Sequence, residues 1–187
     1  MKKLSAGDVL RAADVKRWQI VATLRPQSVA EHTYGVMVLA MELVNRIHWG
    51  QRTYRDLDDA MKYREIMDGV LRAALVHDMP EVVMGDIPTP VKDVLKIRDK
   101  IEEVESSMSF NDLISGDFKP EVLDIIQQAD LLEAVWFMYQ HRSHTEHSQS
   151  VYEKLRDKLK RWPHAEELFQ DLIDHVPVEL NDFYDET

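Results

Sequence analysis

Hydrophobic positions recur at intervals of three and four along most of the chain, which is the period of α-helices that bury one face. After Ser28, one such stripe also includes a histidine: Val29, His32, Val36, Ala40, Leu43 and Ile47. Ser28 and Glu31 have the spacing of a capping box, so a helix is expected to begin there. No run of alternating apolar and polar residues predicts a sheet. The predicted fold class is therefore all-α, a single-domain helical bundle.

The same period predicts six further helices, over about residues 6–14, 66–79, 94–113, 121–141, 148–161 and 163–174. The second of these carries Val70, Ala73, Ala74 and His77 on one stripe, places His77 and Asp78 in its last turn and ends at Pro80. The helix over 121–141 carries the inward stripe Leu123, Ile126, Asp130, Ala134 and Phe137. Residues 51–63 form a polar stretch, and Gly85, Pro88 and Pro90 predict a constrained turn over 85–92.

The composition narrows the class of protein. With 187 residues, 44% hydrophobic and 30% charged, the chain fits one folded domain covering residues 1–187. It has no cysteine and no apolar run long enough to span a membrane, so we expect a cytoplasmic protein that is neither exported nor embedded. The net charge of −11 argues against nucleic-acid polymers as partners, and an anionic ligand would need a locally positive site.

Three predicted helices each place an ionisable residue on or beside an inward face: His32, the pair His77-Asp78, and Asp130. Burying an unpaired carboxylate costs several kcal/mol, and a lone inward histidine is more often a core residue bonded to a carbonyl than a ligand. Ionisable residues on three separate helices favour the metal-ligand interpretation, because one shared cation would stabilise all of these buried side chains. Two imidazoles and two carboxylates suit one divalent ion such as Zn²⁺, Co²⁺, Mn²⁺ or Fe²⁺, with Mg²⁺ possible.

The order of these residues resembles the H…HD…D pattern of the HD-domain phosphohydrolases. Further matching segments resemble the bacterial 5′-deoxynucleotidase branch and its phage dATP triphosphohydrolase relatives: Arg17-Trp18, residues 29–32, residues 77–81 and residues 85–92. The similarity covers roughly residues 10–140.

The resemblance implies roles for individual residues. His32, His77, Asp78 and Asp130 would be the metal ligands, and Glu81 and Asp86 would be catalytic acid or base groups near the attacking water. Substrate-binding residues would be Arg17 and Lys92 at the phosphate, Trp18 at the sugar or base, and Thr89 in the constrained turn. Ordinary packing is the commoner use of a tryptophan, and a solvated surface charge that of a lysine.

Several alternatives stay open at this point. Related sequences often carry a lysine shortly before the last aspartate, where this chain has Gln127-Gln128-Ala129, so the number of phosphates on the substrate is in doubt. The leading hypothesis is a 5′-deoxynucleotidase acting on deoxynucleoside monophosphates. The alternatives are a triphosphohydrolase of the phage type, a non-catalytic nucleotide sensor and a purely structural bundle.

Two further features complete the expectations from the sequence. The resemblance implies a homo-oligomer, a dimer or larger. Glu31 could either complete the capping box or orient His32, while His141, His144 and His147 do not share one helix face and are interpreted as surface residues.

Overall fold

The computed structural model describes residues 2–49, 56–110 and 118–175. The helices are α1 (Ala6–Leu10), α2 (Val29–Val44), α3 (Leu57–Val76), α4 (Glu81–Met84), α5 (Thr89–Leu95), α6 (Arg98–Ser106), α7 (Pro120–His141), α8 (Glu146–Leu159) and α9 (Pro163–Asp174). A 3₁₀ turn, Arg11–Ala13, follows α1, and a π-helical turn, Asn45–Trp49, follows α2. The all-α prediction is confirmed, and no helix among the described residues is long and apolar enough to cross a membrane.

The centre of the bundle is formed by α2, α3 and α7, which pack against one another, while α8 and α9 cover α7. Their inward faces share one apolar core, whose fully buried members include Val36, Leu43, Ile66, Val70, Ile125, Leu132 and Phe169. In a smaller apolar cluster, Met79 and Val82, which follow α3, pack against Leu4 of the amino-terminal segment. The turn after α3, which carries the predicted ligands His77 and Asp78, therefore lies between the main core and this smaller cluster.

The start of α2 agrees with the prediction. The Ser28 side chain accepts a hydrogen bond from the Glu31 amide, and the Glu31 carboxylate accepts one from the Ser28 amide. The inward stripe is buried as expected through Leu43, while Ile47 lies in the π-helical turn and is half-buried.

The bounds of α3 differ from the prediction at both ends. The helix begins at Leu57, inside the predicted polar stretch, because Asp56 caps it and its charged residues lie on a solvated face. Residues 51–55 lie outside the described part of the chain. At the other end, α3 stops at Val76, so that His77 is its carboxy-terminal cap and Asp78 lies in the following turn. Pro80 explains this early end, since a proline ring clashes with the carbonyl four residues earlier.

The region from Gly85 to Ser106 also departs from the prediction. Residues 85–88 form the expected constrained segment, with Gly85 at φ +76°, but Thr89 already begins α5 because Pro90 fits the first turn of a helix. One helix was predicted over 94–113, whereas two are present, α5 and α6, separated at Lys96 by a left-handed backbone with φ +51°. Residues 111–113 of the predicted helix lie outside the described ranges.

Four short strands were not predicted from the sequence. β1 (Lys2–Leu4) pairs in parallel with β4 (Met108–Phe110), and β2 (Lys16–Arg17) pairs antiparallel with β3 (Gln27–Ser28). Strands of two or three residues leave no readable alternation, which is why the sequence pattern missed them. The β2–β3 pair matters for the site, because it places Arg17 opposite Gln27 at the amino end of α2.

Candidate metal centre and substrate cleft

Ligand atoms of His32, His77 and Asp78 converge at the junction of α2 and the end of α3, all within 4.8 Å of one another. The Nε2 atoms of the two histidines are 3.3 Å apart, and the Asp78 carboxylate lies 3.3 Å from His32 Nε2. His32 is fully buried, while His77 and Asp78 are partly exposed towards the site. A pair of imidazoles and a carboxylate so close together can share one divalent cation.

Asp130 approaches the same point from α7. Its carboxylate lies 3.0 Å from His32 Nε2, and 46% of its side chain is exposed because it faces a cleft. Ile126, Ala134 and Phe137 are buried on this face as predicted, but Leu123 is 52% exposed, since it lies one turn nearer the solvated start of the helix. The structure therefore brings all four predicted ligands together, on two helices and the turn after a third.

Both imidazoles are oriented by hydrogen bonds from the side away from the shared point. His77 Nδ1 lies 2.6 Å from the Ala74 carbonyl oxygen, which fixes a proton on Nδ1 and leaves the Nε2 lone pair free. His32 Nδ1 contacts the Glu133 carboxylate. Such partners set the tautomer and direction of a metal-binding histidine.

Glu133 was not predicted as a site residue. It lies one helical turn beyond Asp130 on the same inward stripe and is only 6% exposed, so its spacing from Asp130 was the signal that could have found it. From the sequence, Glu31 was the candidate residue for orienting His32. In the structure Glu31 instead completes the capping box and accepts a hydrogen bond from Arg25 at 2.8 Å.

Arg17 lies beside the predicted ligands. Its Nη1 donates to Asp78 Oδ2 at 2.7 Å, and its side chain is only 15% exposed. Burial opposes the charge of Arg17, but the surrounding carboxylates, chiefly Asp78, outweigh it and raise the pKa of the guanidinium. Burial by itself would raise the pKa of the Asp78 carboxyl group. The charges of His77, His32 and Arg17 outweigh burial and hold this pKa well below its usual range. Asp78 is therefore ionised at neutral pH.

Glu81 has the opposite electrostatics. Burial, reinforced by the negative charges of Asp78 and Asp86, raises its pKa to about 8. Its Oε2 atom is buried and finds no hydrogen-bond partner among the residues that the structure describes. Burial likewise raises the pKa of Asp86, which lines the cleft. Near neutral pH, Glu81 is therefore poised to hold or release a proton.

A cleft of about 750 Å³ opens beside Asp130. Its walls come from residues 17–21, from residues 86–90 and from α7 and α8. The lining also includes the polar and aromatic side chains of His147, Lys158, Arg161 and Trp162. Of the predicted substrate residues, Arg17, Trp18 and Thr89 line the cleft. Lys92 lies close enough to Glu81 and Asp86 for its charge to offset part of the rise in their pKa values.

Trp18 is held in an unusual conformation. Its backbone has φ +63°, in the left-handed region, which is rare for a bulky residue. Its ring stacks on Phe137 with centroids 5.9 Å apart, and its Nε1 donates to Gln27 Oε1 at 2.8 Å. These contacts fix the ring at the wall of the cleft. Gln27 was not singled out from the sequence, where nothing distinguishes it from a surface residue.

The histidine cluster near the end of α7 does not form a second metal group among the described residues. His144 and His147 are exposed, as predicted, whereas His141 is half-buried against Phe137 and accepts a hydrogen bond from Arg25 Nε at 3.2 Å.

The profile of the family described as “5′-deoxynucleotidase YfbR-like” matches residues 8–176, nearly the whole chain. The chain belongs to the YfbR-like family. This membership makes the YfbR-like protein a phosphohydrolase of the HD superfamily, as the sequence motifs predicted.

Individual relatives of this YfbR-like protein carry two different names. It is 38% identical over 141 residues to a dATP triphosphohydrolase of Salmonella phage PMBT28, which covers 75% of this chain and 69% of the relative. It is 29% identical over 170 residues to human 5′-deoxynucleotidase HDDC2, covering 91% of this chain and 67% of the relative.

Among solved structures, the fold of this YfbR-like protein is similar to the cyanophage S-2L HD phosphohydrolase DatZ, which is bound to dA and one catalytic Zn²⁺ ion. The TM-score is 0.71 at 22% identity, covering 93% of this chain and 96% of the DatZ chain. At this identity the likeness shows the HD fold.

Proposed function

We propose that the protein hydrolyses the 5′-phosphate ester of a deoxynucleotide, with a divalent cation held by His32, His77, Asp78 and Asp130. The observation that carries this proposal is the convergence of two oriented imidazoles and two carboxylates, one of which, Asp130, lines a cleft of about 750 Å³, a size suited to a nucleotide.

The donor set fits such a cation. Both Nε2 atoms face the Asp78 carboxylate, and Asp130 adds a second carboxylate 3.0 Å from His32. Nitrogen and oxygen donors in this mixture suit Zn²⁺, Mn²⁺, Co²⁺ or Fe²⁺, whereas Mg²⁺ prefers oxygen alone. The Zn²⁺ ion of DatZ supports this assignment.

The remaining residues would carry the proton transfers and hold the substrate. When bound, the cation lowers the pKa of a water molecule and polarises a phosphoryl oxygen. Water adds to the phosphorus and the bond between phosphorus and O5′ breaks, so the leaving O5′ must gain a proton. Glu81, whose pKa of about 8 keeps it protonated at neutral pH, supplies that proton, and Asp86 accepts the proton that the attacking water loses.

Arg17 and Lys92 would neutralise the phosphate, because both lie on the side of the site where Asp78, Glu81 and Asp86 meet. Trp18 and Thr89 on the cleft wall would contact the nucleoside. The leading substrate class remains deoxynucleoside monophosphates, in agreement with the description of the family.

A deoxynucleoside triphosphate is the second candidate, and one feature of the cleft favours it. The cationic side chains of Lys158 and Arg161 line the wall that α8 and the residues after it contribute, where they would attract further phosphates. The phage relative at 38% identity is a dATP triphosphohydrolase. Both reactions break the same bond to O5′ and differ in whether phosphate or tripolyphosphate is released.

A product assay decides between them. The purified protein would be incubated with each dNMP, each dNTP and the matching ribonucleotides, with Zn²⁺, Mn²⁺, Co²⁺ or Mg²⁺ added singly after chelation. We expect a deoxynucleoside and phosphate from dNMPs, and no turnover without metal. Tripolyphosphate from dNTPs, without turnover of monophosphates, would replace the leading substrate by the second. Binding without hydrolysis of any nucleotide would support the sensor hypothesis instead.

The cellular location and a homo-oligomeric assembly stay predictions. Size-exclusion chromatography with light scattering would test the assembly, which a monomeric mass would contradict.

A further inference from the structure

A chain of hydrogen bonds runs through the interior from His32 to Trp18. The Glu133 carboxylate contacts His32 Nδ1 through Oε2 and accepts from Gln27 Nε2 through Oε1 at 2.6 Å. Gln27 Oε1 in turn accepts from Trp18 Nε1 at 2.8 Å. Gln27, Glu133 and His32 are 1%, 6% and 0% exposed, so water does not compete for these bonds.

The donor and the acceptor in each hydrogen bond of this chain follow from two groups, the indole N–H of Trp18 and the carboxylate of Glu133. The indole N–H of Trp18 can only donate, which makes the Gln27 oxygen the acceptor and turns the amide NH₂ towards Glu133. An ionised carboxylate can only accept, so Glu133 receives hydrogen bonds from Gln27 and from His32 Nδ1–H. Because Nδ1 keeps its proton for Glu133, Nε2, the atom that faces Asp78 and Asp130, is the one that loses its proton when His32 binds a cation.

Space for this chain is built into α2. A side chain at Gly35 would place its Cβ 2.7 Å from Glu133 Cγ, closer than non-bonded carbons approach. Glycine is less favourable than alanine in the middle of a helix. Its presence at this position allows the Glu133 carboxylate to lie between α2 and α7.

We propose that Gln27 and Glu133 are positioning residues that couple the metal ligand His32 to the substrate wall at Trp18. The proposal rests on the proposed function, because it takes His32 as a ligand and Trp18 as a substrate contact. Glu133 holds the tautomer of His32 that can bind a cation. Gln27 connects Glu133 to Trp18, whose left-handed backbone is strained and needs such support. A cation at His32 and the position of Trp18 therefore depend on each other.

A pair of isosteric exchanges tests this coupling. In Gln27→Glu two carboxylates meet, which breaks the bond to Glu133 and keeps the acceptor for Trp18. In Glu133→Gln an amide NH₂ must face either the Gln27 NH₂ or His32 Nδ1, and the second choice moves the histidine proton to Nε2. The double variant Gln27→Glu/Glu133→Gln matches every donor with an acceptor again.

Zn²⁺ affinity of the full-length protein, measured by titration without substrate, is the first readout. We expect each single variant to bind Zn²⁺ about 10–100-fold more weakly than the wild type, and the double variant to recover most of that loss. Recovery would not follow from packing alone, since the shapes hardly change in any variant. Zn²⁺ binding that is no tighter in the double variant than in the weaker single variant would overturn the coupling.

The indole N–H signal of Trp18 in a ¹⁵N–¹H spectrum is the second readout, identified by its loss in Trp18→Phe. We expect Zn²⁺ to shift this signal in the wild type and in the double variant but not in Gln27→Glu. A signal that is unmoved in the wild type, or equally moved in Gln27→Glu, would overturn the proposal.

These measurements distinguish a failure of the proposed function from a failure of the coupling. Absence of Zn²⁺ binding to the wild type would overturn the proposed function together with the coupling, whereas binding without recovery would overturn the coupling alone. If circular dichroism shows the single variants unfolded, Trp18→Phe gives the decision, because it removes one donor and keeps the ring against Phe137. Zn²⁺ affinity should then fall about fivefold, and an unchanged affinity would contradict the proposal.

Discussion

At the scale of single residues, the surroundings shift the pKa values of two neighbouring carboxyl groups, Asp78 and Glu81, in opposite directions. The pKa of Asp78 is lowered by His77, His32 and Arg17, although burial opposes this, while burial and the two nearby aspartates raise that of Glu81 to about 8. Groups pushed apart in this way commonly divide the roles of ligand and proton carrier. Asp78 is therefore suited to bind a cation and Glu81 to exchange a proton.

The first prediction concerns turnover. Glu81→Gln keeps the shape and removes the ionisable group, so we expect hydrolysis to fall about 10²–10⁴-fold while Zn²⁺ still binds. Steady-state kinetics together with metal analysis of the purified variant measure both quantities. Glu103→Gln on the exposed face of α6 is the matched control, expected to behave like the wild type. Near-normal turnover in Glu81→Gln would remove Glu81 from the reaction.

The second prediction concerns the stability of metal-free protein against pH. The ordinary pKa of Glu81 is 4.5 and the folded value is about 8, so between these the folded state holds a proton that the unfolded state has lost. Its contribution to stability is therefore present below about pH 4.5 and is lost as the pH rises through about 8.

Glu81→Gln does not titrate and should unfold at a higher temperature than the wild type near pH 9, by about 2–4 °C for each kcal/mol, but at the same temperature near pH 5. Differential scanning calorimetry with a chelator present measures this. Added Zn²⁺ should narrow the difference at high pH by favouring the ionised carboxylate. A difference as large at pH 5 as at pH 9 would show that ionisation of Glu81 is not its cause.

At the scale of elements, the close approach of α2 and α7 is what brings His32 and Glu133 together. Gly35 permits that approach, and the β2–β3 pair brings Gln27 to the same point. The helices therefore supply more than a scaffold, since their separation sets the hydrogen bonds behind His32.

The third prediction follows from this packing. Gly35→Ala should destabilise the protein by about 1–3 kcal/mol despite the better helix propensity of alanine, because the new Cβ displaces Glu133. Zn²⁺ affinity should fall with it. Urea unfolding and Zn²⁺ titration measure the two effects. Gly7→Ala in α1 is the control, because the nearest atom to a Cβ there is Ser5 Oγ at 3.7 Å. Equal stability and Zn²⁺ affinity in both variants would contradict the argument.

At the scale of the whole molecule, an acidic protein of net charge −11 must bind an anion. The proposed binding place is a cleft whose walls come from distant parts of the chain and include the cationic side chains of Arg17, Lys158 and Arg161. The global charge repels the substrate while these side chains attract it locally.

The fourth prediction concerns Lys158 and Arg161, the cationic residues that α8 and the segment after it contribute to the cleft. Replacing Lys158 and Arg161 by alanine should raise the KM for a deoxynucleoside triphosphate about tenfold if the outer phosphates lie there, with little change for a monophosphate. Kinetics with both substrates at fixed ionic strength measure this difference. Lys154→Ala/Lys160→Ala, at exposed positions in α8 and at its carboxy-terminal cap, is the matched control. An equal effect on both substrates would place the outer phosphates elsewhere.

The sequence by itself determined the helical class, the capped start of α2 and the candidates His32, His77, Asp78 and Asp130, because helical period and local capping depend on nearby residues. It missed the early end of α3, the division into α5 and α6 and the short strands, which depend on Pro80, Lys96 and pairing between distant segments. Gln27 and Glu133 gain their place only when α2 and α7 pack together. Tertiary structure decided the chain of contacts from His32 to Trp18 because hydrogen bonds between distant segments have no local period to reveal them.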